Sequence, residues 1–165
     1  EMQRSLVGSE MCIRDSYHYA ELAKQLIDEG YQVVLFGSAK DHEAGNEILA
    51  ALNTEQQAWC RNLAGETQLD QAVILIAACK AIVTNDSGLM HVAAALNRPL
   101  VALYGPSSPD FTPPLSHKAR VIRLITGYHK VRKGDAAEGY HQSLIDITPQ
   151  RVLEELNSLL LQEEA

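Results

Sequence analysis

The residues best suited to chemistry fall in one run, Thr84-Asn85-Asp86-Ser87-Gly88-Leu89-Met90-His91. Apolar Ala81-Ile82-Val83 leads into it, and alanine-rich Val92-Ala93-Ala94-Ala95-Leu96 leads out. That is the pattern of a strand turning into a helix. The first turn of a helix has N–H groups without intrahelical partners and carries the positive end of the dipole, so small polar residues there suit an anion. Ser87 and Gly88 would supply N–H groups, and Gly88 would let a phosphate approach the backbone closely. Asp86 would cap the helix or accept from a sugar hydroxyl. His91, four residues after Ser87, shares its helix face and would donate to a diphosphate or a sugar. The bland alternative makes Asp86 only an N-cap and His91 only a helix residue. A serine-nucleophile reading of Asp86, Ser87 and His91 is weaker. The G-x-S-x-G elbow is absent, and three residues within one turn rarely provide both a base and a group to orient it.

The flanking sequence supplies the elements that must hold this run. Tyr19, Ala20, Ala23, Leu26 and Ile27 recur at helical spacing, with Gly30 as the stop. Tyr31-Gln32-Val33-Val34-Leu35-Phe36 reads as a strand buried on both faces, and Gly37-Ser38 turns the chain. Residues 41–52 read as a helix, Arg61-Asn62-Leu63 as a short strand, and 68–79 as a helix opened by a Thr67/Asp70 capping box. Strands follow at 80–83, 99–104 and 121–125. Asn97 ends the helix after the central run. Thr148-Pro149 opens a final amphipathic helix through Val152, Leu153, Leu156, Leu159 and Leu160. Alternating strands and helices predict an α/β doubly wound parallel sheet of Rossmann-like type. Ligands in such folds sit beyond the carboxyl ends of the strands. The loops at 37–41, 65–68, 85–88 and 105–109 therefore matter, and their small polar residues suit a nucleotide.

Composition bounds the rest. A chain of 165 residues with 46% hydrophobic residues supports one domain with a real core. The net charge of −7 excludes a general nucleic-acid binder but not one phosphorylated ligand. No apolar run is long enough to span a membrane. Cys12, Cys60 and Cys79 are not spaced as a metal site. Cys79 reads as a core residue on a helix face, and the cysteine usage points to a reducing, cytoplasmic setting. Lys130, Arg132 and Lys133 form a basic cluster in a polar stretch, more simply a solvated face than a site. There is no P-loop and no G-x-G-x-x-G. Residues 1–16 have no clear period, and the run Ser5-Leu6-Val7-Gly8-Ser9-Glu10-Met11-Cys12-Ile13-Arg14-Asp15-Ser16 resembles a translated adapter scar. They are read as a non-native or disordered segment, with the Rossmann-like domain running from 17 to 165.

The run Asp86-Ser87-Gly88-x-x-His91-x-Ala93-Ala94-Ala95-Leu96, followed by Pro99-Leu100-Val101-Ala102-Leu103-Tyr104-Gly105-Pro106, resembles the bacterial ADP-heptose:lipopolysaccharide heptosyltransferases. The likeness extends to Val34-Leu35-Phe36-Gly37-Ser38 and to Asn62-Leu63-Ala64-Gly65-x-Thr67-x-Leu69, and covers residues 17–165. The resemblance implies the C-terminal, donor-binding half of a GT-B glycosyltransferase. It implies that Asp86, Ser87, Gly88 and His91 contact the ADP diphosphate and the heptose. Gly65 and Thr67 would lie near the adenine, and Gly37, Ser38 and the residues up to Glu43 near the ribose. It implies inverting transfer without a metal or other cofactor, ADP-heptose being a substrate. The lipopolysaccharide inner core would be the acceptor, held by an N-terminal half that also carries the catalytic aspartate. A lysine that meets the phosphate would lie just upstream of Tyr17. No catalytic residue is therefore expected in this chain, and peripheral inner-membrane contact would belong to the full enzyme. The alternative is a stand-alone, non-catalytic nucleotide or phosphosugar binding module.

Overall fold

Strands β2 (Gln32–Phe36), β4 (Cys79–Asn85) and β5 (Leu100–Tyr104) are the apolar runs of the sequence, and they form the buried body of one parallel sheet. The computed structural model describes residues 3–7, 13–126 and 142–164. Within them the sheet has six strands in the order β3-β2-β1-β4-β5-β6, with β1 at Gln3–Val7, β3 at Cys60–Asn62 and β6 at Ala119–Arg123. All five pairings are parallel, so each connection must cross over the sheet.

Period-two alternation divides the core. Val33 and Leu35, Ala81 and Val83, and Val101 and Leu103 face helices α1 (Ile13–Asp28), α2 (His42–Ala51) and α7 (Pro149–Glu164). Val34 and Phe36, Ile82, and Leu100, Ala102 and Tyr104 face α4 (Leu69–Ala78) and α5 (Gly88–Ala95). Burial on both faces explains why these strands read as continuous apolar runs. Two short helices complete the elements, α3 (Thr54–Gln57) and α6 (Gln142–Ile145). Neither was expected, because four residues are too few to show a helical period.

The helix ends follow local chemistry. Gly30 has φ +84 and Asn97 φ +52, the left-handed geometry that ends a helix. Thr148 Oγ1 accepts from the Arg151 N–H at 3.3 Å ahead of Pro149. The cap of α4 differs from the expected Thr67/Asp70 box. It lies one residue later, where the Gln71 side chain accepts from the Gln68 N–H at 2.9 Å. Cys79 is buried as expected, but as the first residue of β4 and not on a helix face. The expected helix at 41–52 begins instead with a 3-10 turn, Ala39–Asp41, and its α-helical part starts at His42.

Part of the segment 1–16, expected to be non-native or disordered, takes regular structure. Gln3–Val7 runs between β2 and β4, and α1 begins at Ile13. Strand pairing is made by backbone groups that every residue but proline carries, so a central slot can be filled without an alternating side-chain pattern. The strand order turns back at the β1/β4 boundary, the switch point where doubly wound sheets open a crevice. The basic cluster at Lys130, Arg132 and Lys133, like Cys12, lies outside the described residues.

Burial pushes the Cys60 thiol up from an ordinary value of 9.0 to about 12, because desolvation penalises the thiolate. The native state keeps this proton where the unfolded chain releases it, so the stability it contributes is lost as pH rises from 9.0 toward 12. Urea midpoints are expected to fall over that range, and to fall less in Cys60→Ala. Equal slopes would exclude the thiol as the cause.

Candidate functional site

The strand-to-helix run lies at the carboxyl end of β4, beside the switch point. Asp86 donates its N–H to Leu103 O at 3.1 Å and so prolongs the β4–β5 ladder by one bond. The ladder then stops. Ser87 takes extended backbone, φ −154 and ψ 168, and is the N-cap of α5, its Oγ accepting from the Met90 N–H at 3.4 Å. The two open roles of Asp86 are thereby separated, since the cap is Ser87. The N–H groups of Ser87 and Gly88 have no acceptor among the described residues. A Cβ built on Gly88 meets nothing within 4 Å, so the surface beside this turn is open at Gly88. A helix dipole together with N–H groups that have no acceptor among the described residues suits an anion.

The walls of the site are hydrogen-bonded. Thr84 is fully buried, and its hydroxyl donates to Asn85 O at 2.9 Å while lying 3.2 Å from Ser87 Oγ. On the other side the chain after β5 curls back. Thr112 Oγ1 donates to Asp86 Oδ2 at 3.2 Å, and the Tyr104 hydroxyl donates to Thr112 O. Burial, and then the Asp86 charge, push the Tyr104 phenol up to about 12, so it remains a neutral donor. Arg123 reaches the carbonyls of Gly105 and Pro106 at 3.4 and 3.5 Å and holds the base of that loop. His91 is exposed one turn into α5 and makes no hydrogen bond with Ser87. The geometry therefore gives Ser87 a capping role and no base, which counts against a serine nucleophile.

The loops after β2 and β3 form a second cluster. Gly65 donates its N–H to Gly37 O at 3.0 Å, and His42 Nδ1 donates to Ala64 O at 2.9 Å. Ser38 donates both its N–H and its hydroxyl to Asp41 Oδ2, each at 2.7 Å. Asp41 is only 2% exposed. Gly65 has φ +76, and a Cβ there would meet Ala39 Cα at 2.7 Å, so the glycine lets two loops pack backbone to backbone. Thr67 is half-buried, just before the α4 cap. Gly37, Ser38, Gly65 and Thr67 are thus brought together at one end of the same sheet edge. Asp86, Ser87, Gly88 and His91 form the other group, two strands away in the sheet order. Thr112, Tyr104 and the Tyr19–Asn85 contact escaped the sequence reading. The S-x-x-D spacing of Ser38 and Asp41 was a readable signal. Thr112 is 26 residues from Asp86 and had none.

Comparison with known proteins adds a family to this geometry. Residues 15–141 match the family described as glycosyltransferase family 9 (heptosyltransferase). The chain is 99% identical over 149 residues to lipopolysaccharide heptosyltransferase 2 of Escherichia coli K12, which covers 90% of this chain and 43% of that protein. It is 66% identical over 145 residues to lipooligosaccharide heptosyltransferase 2 of Haemophilus influenzae, covering 87% and 42%. The solved structure of E. coli ADP-heptose LPS heptosyltransferase II superposes with a TM-score of 0.85 at 82% identity, covering 100% of this chain and 49% of the other. A family 9 glycosyltransferase from Veillonella parvula gives 0.79 at 27% identity, covering 96% and 46%. The chain spans less than half the length of each of these relatives.

The two loop glycines should respond differently to substitution. Gly65→Ala is expected to cost about 1–3 kcal/mol, since it combines a strained φ with a backbone clash. Gly88→Ala should stay within about 0.5 kcal/mol of the parent, as its Cβ enters open space. Chemical denaturation of both variants checks this, and equal losses would contradict the packing role of Gly65.

Proposed function

The chain belongs to glycosyltransferase family 9, the heptosyltransferases, and on that basis we propose that it is the C-terminal, sugar-nucleotide-binding half of an inverting GT-B heptosyltransferase. The donor is ADP-heptose, and the sugar passed on is L-glycero-D-manno-heptose. The acceptor is the lipopolysaccharide inner core, held by the other half of the enzyme. The observation that carries this reading is the pair of N–H groups at Ser87 and Gly88, which have no acceptor among the described residues. They lie at the α5 terminus beside an exposed glycine, on the switch-point edge of the sheet. Identity of 82% to a structure described as an ADP-heptose LPS heptosyltransferase supports the donor.

In this reading the diphosphate sits on the Ser87 and Gly88 N–H groups, with His91 donating one turn further on. Asp86, already oriented by Thr112, accepts from a heptose hydroxyl. The N–H groups and the helix dipole stabilise the charge that grows on the departing ADP. That is the work a divalent cation does in other transferases, so transfer is metal-independent. Gly37 and Ser38 lie by the ribose, and Gly65 and Thr67 by the adenine. Support comes from their position at the carboxyl ends of β2 and β3, on the edge that α5 shares. Ser38 has spent its hydrogen on Asp41, so it would meet the ribose as an acceptor.

The catalytic base belongs to the other half, so this chain alone binds donor without transferring heptose. In this reading the segment 1–16 is non-native, and residues 1–14 lie outside the family match. The 99% match takes in 149 residues, as many as 17–165 contain. Buried free thiols at Cys60 and Cys79 suit a cytoplasmic setting. Among the described residues no helix is long and apolar enough to cross a membrane.

Titration of the 15N-labelled chain is expected to show ADP shifting the amides of residues 86–91 more than UDP does. Gly88→Val should abolish the response while the fold persists. Equal shifts with UDP would refute the adenine assignment, and no shift with either would refute the donor site. Heptose transfer by the purified chain alone would place the base within it and overturn the division of roles.

A further inference from the structure

Tyr19 is buried near the start of α1, and its hydroxyl donates to Asn85 Oδ1 at 2.9 Å across 66 residues of sequence. Asn85 is the last residue of β4, is 8% exposed, and directly precedes Asp86. Its side chain also lines a cavity of about 30 Å³, walled by His18, Leu22, Leu103, Leu144 and Pro149. That space holds about one or two waters. The carboxamide thus borders a small space as well as packed side chains. Among the described residues the Tyr19 hydroxyl is its one hydrogen-bond partner.

A free asparagine has a preferred alternative. Its side-chain oxygen accepts from the backbone N–H two residues on, forming an Asx turn. For Asn85 that N–H is Ser87's, and the next is Gly88's. These are the donors that the preceding reading assigns to the diphosphate. We propose that Tyr19 is a positioning residue: it holds Asn85 Oδ1 toward α1, and so keeps the Ser87 and Gly88 N–H groups free for the anion. The inference rests on the diphosphate reading of that turn. It adds a residue on the opposite face of the sheet whose hydroxyl prevents the site from closing on its own side chain.

The consequence is a pattern that a merely stabilising bond would not give. Tyr19→Phe keeps the ring and releases the carboxamide. ADP affinity is then expected to fall about tenfold, the scale of one competing hydrogen bond. Amide exchange at Ser87 is expected to slow in the ligand-free chain, because its N–H gains an internal acceptor. Asn85→Leu removes the competitor while keeping its size, so it should bind ADP as the parent does, and Tyr19→Phe/Asn85→Leu should recover the lost affinity. If the bond only braces the turn, Asn85→Leu will weaken binding as much as Tyr19→Phe, and the double variant will recover nothing. Either result overturns the proposal, as does unchanged Ser87 exchange in Tyr19→Phe. No ADP response in the parent chain would instead reject the diphosphate reading, and the Ser87 exchange comparison would still decide the role of Tyr19.

Discussion

The end of the β4–β5 ladder is the constraint on which the site depends. β4 lies between two parallel neighbours, and six of its seven residues are buried. Buried backbone groups must be paired, so the ladder runs as far as the Asp86 N–H and its bond to Leu103. One residue further on the chain turns into α5. The N–H groups of Ser87 and Gly88 then belong neither to the sheet nor to the helix ladder. The candidate anion site lies where two regular hydrogen-bonding patterns meet, and a side chain at Gly88 would project into open space there.

Support for this point comes from both faces of the sheet, because side chains alternate along β4. Thr84 turns to the α5 face and ties Asn85 O and Ser87 together. Asn85 turns to the opposite face and meets Tyr19 of α1. The loop after β5 closes the flank through Thr112 on Asp86. Thr84, α1 and the loop after β5 thus orient three consecutive residues, Asn85, Asp86 and Ser87. Such convergence is what holds a binding group in place when its own loop is short. The second cluster is built on another principle. Gly65 and Gly37 pack backbone against backbone, and the Ser38–Asp41 box closes on itself. Its shape is set by loop-to-loop contact, with His42 at the start of α2 tied to Ala64.

The legible features were those with a local cause. Apolar runs buried on both faces revealed β2, β4 and β5, and glycine and asparagine stops marked where α1 and α5 end. The family resemblance carried by residues 86–106 agreed with the family match and with the structural neighbours. Short elements were less legible. α3 and α6 hold four residues each, fewer than any period can declare. The α4 cap was read one residue early because Thr67/Asp70 and Gln68/Gln71 both satisfy the spacing, and only the glutamine pair closes in the structure. β1 could not be read because a slot between two strands asks for backbone, not for a side-chain pattern.

By itself the sequence determined the alternation of strands and helices, the fold class, and the strand-turn-helix run that carries the candidate site. Each of these follows from the residue types and spacing within a few positions. Only the tertiary structure decided which hydroxyl holds which acceptor, Thr112 on Asp86 and Tyr19 on Asn85, and that Gly65 packs against Ala39. Those partners are far apart in sequence and are brought together by the strand order and by the face of the sheet each residue occupies. Hydrogen bonding is short-ranged and directional, so no pattern along the chain can announce a bond between residues that only the fold makes neighbours.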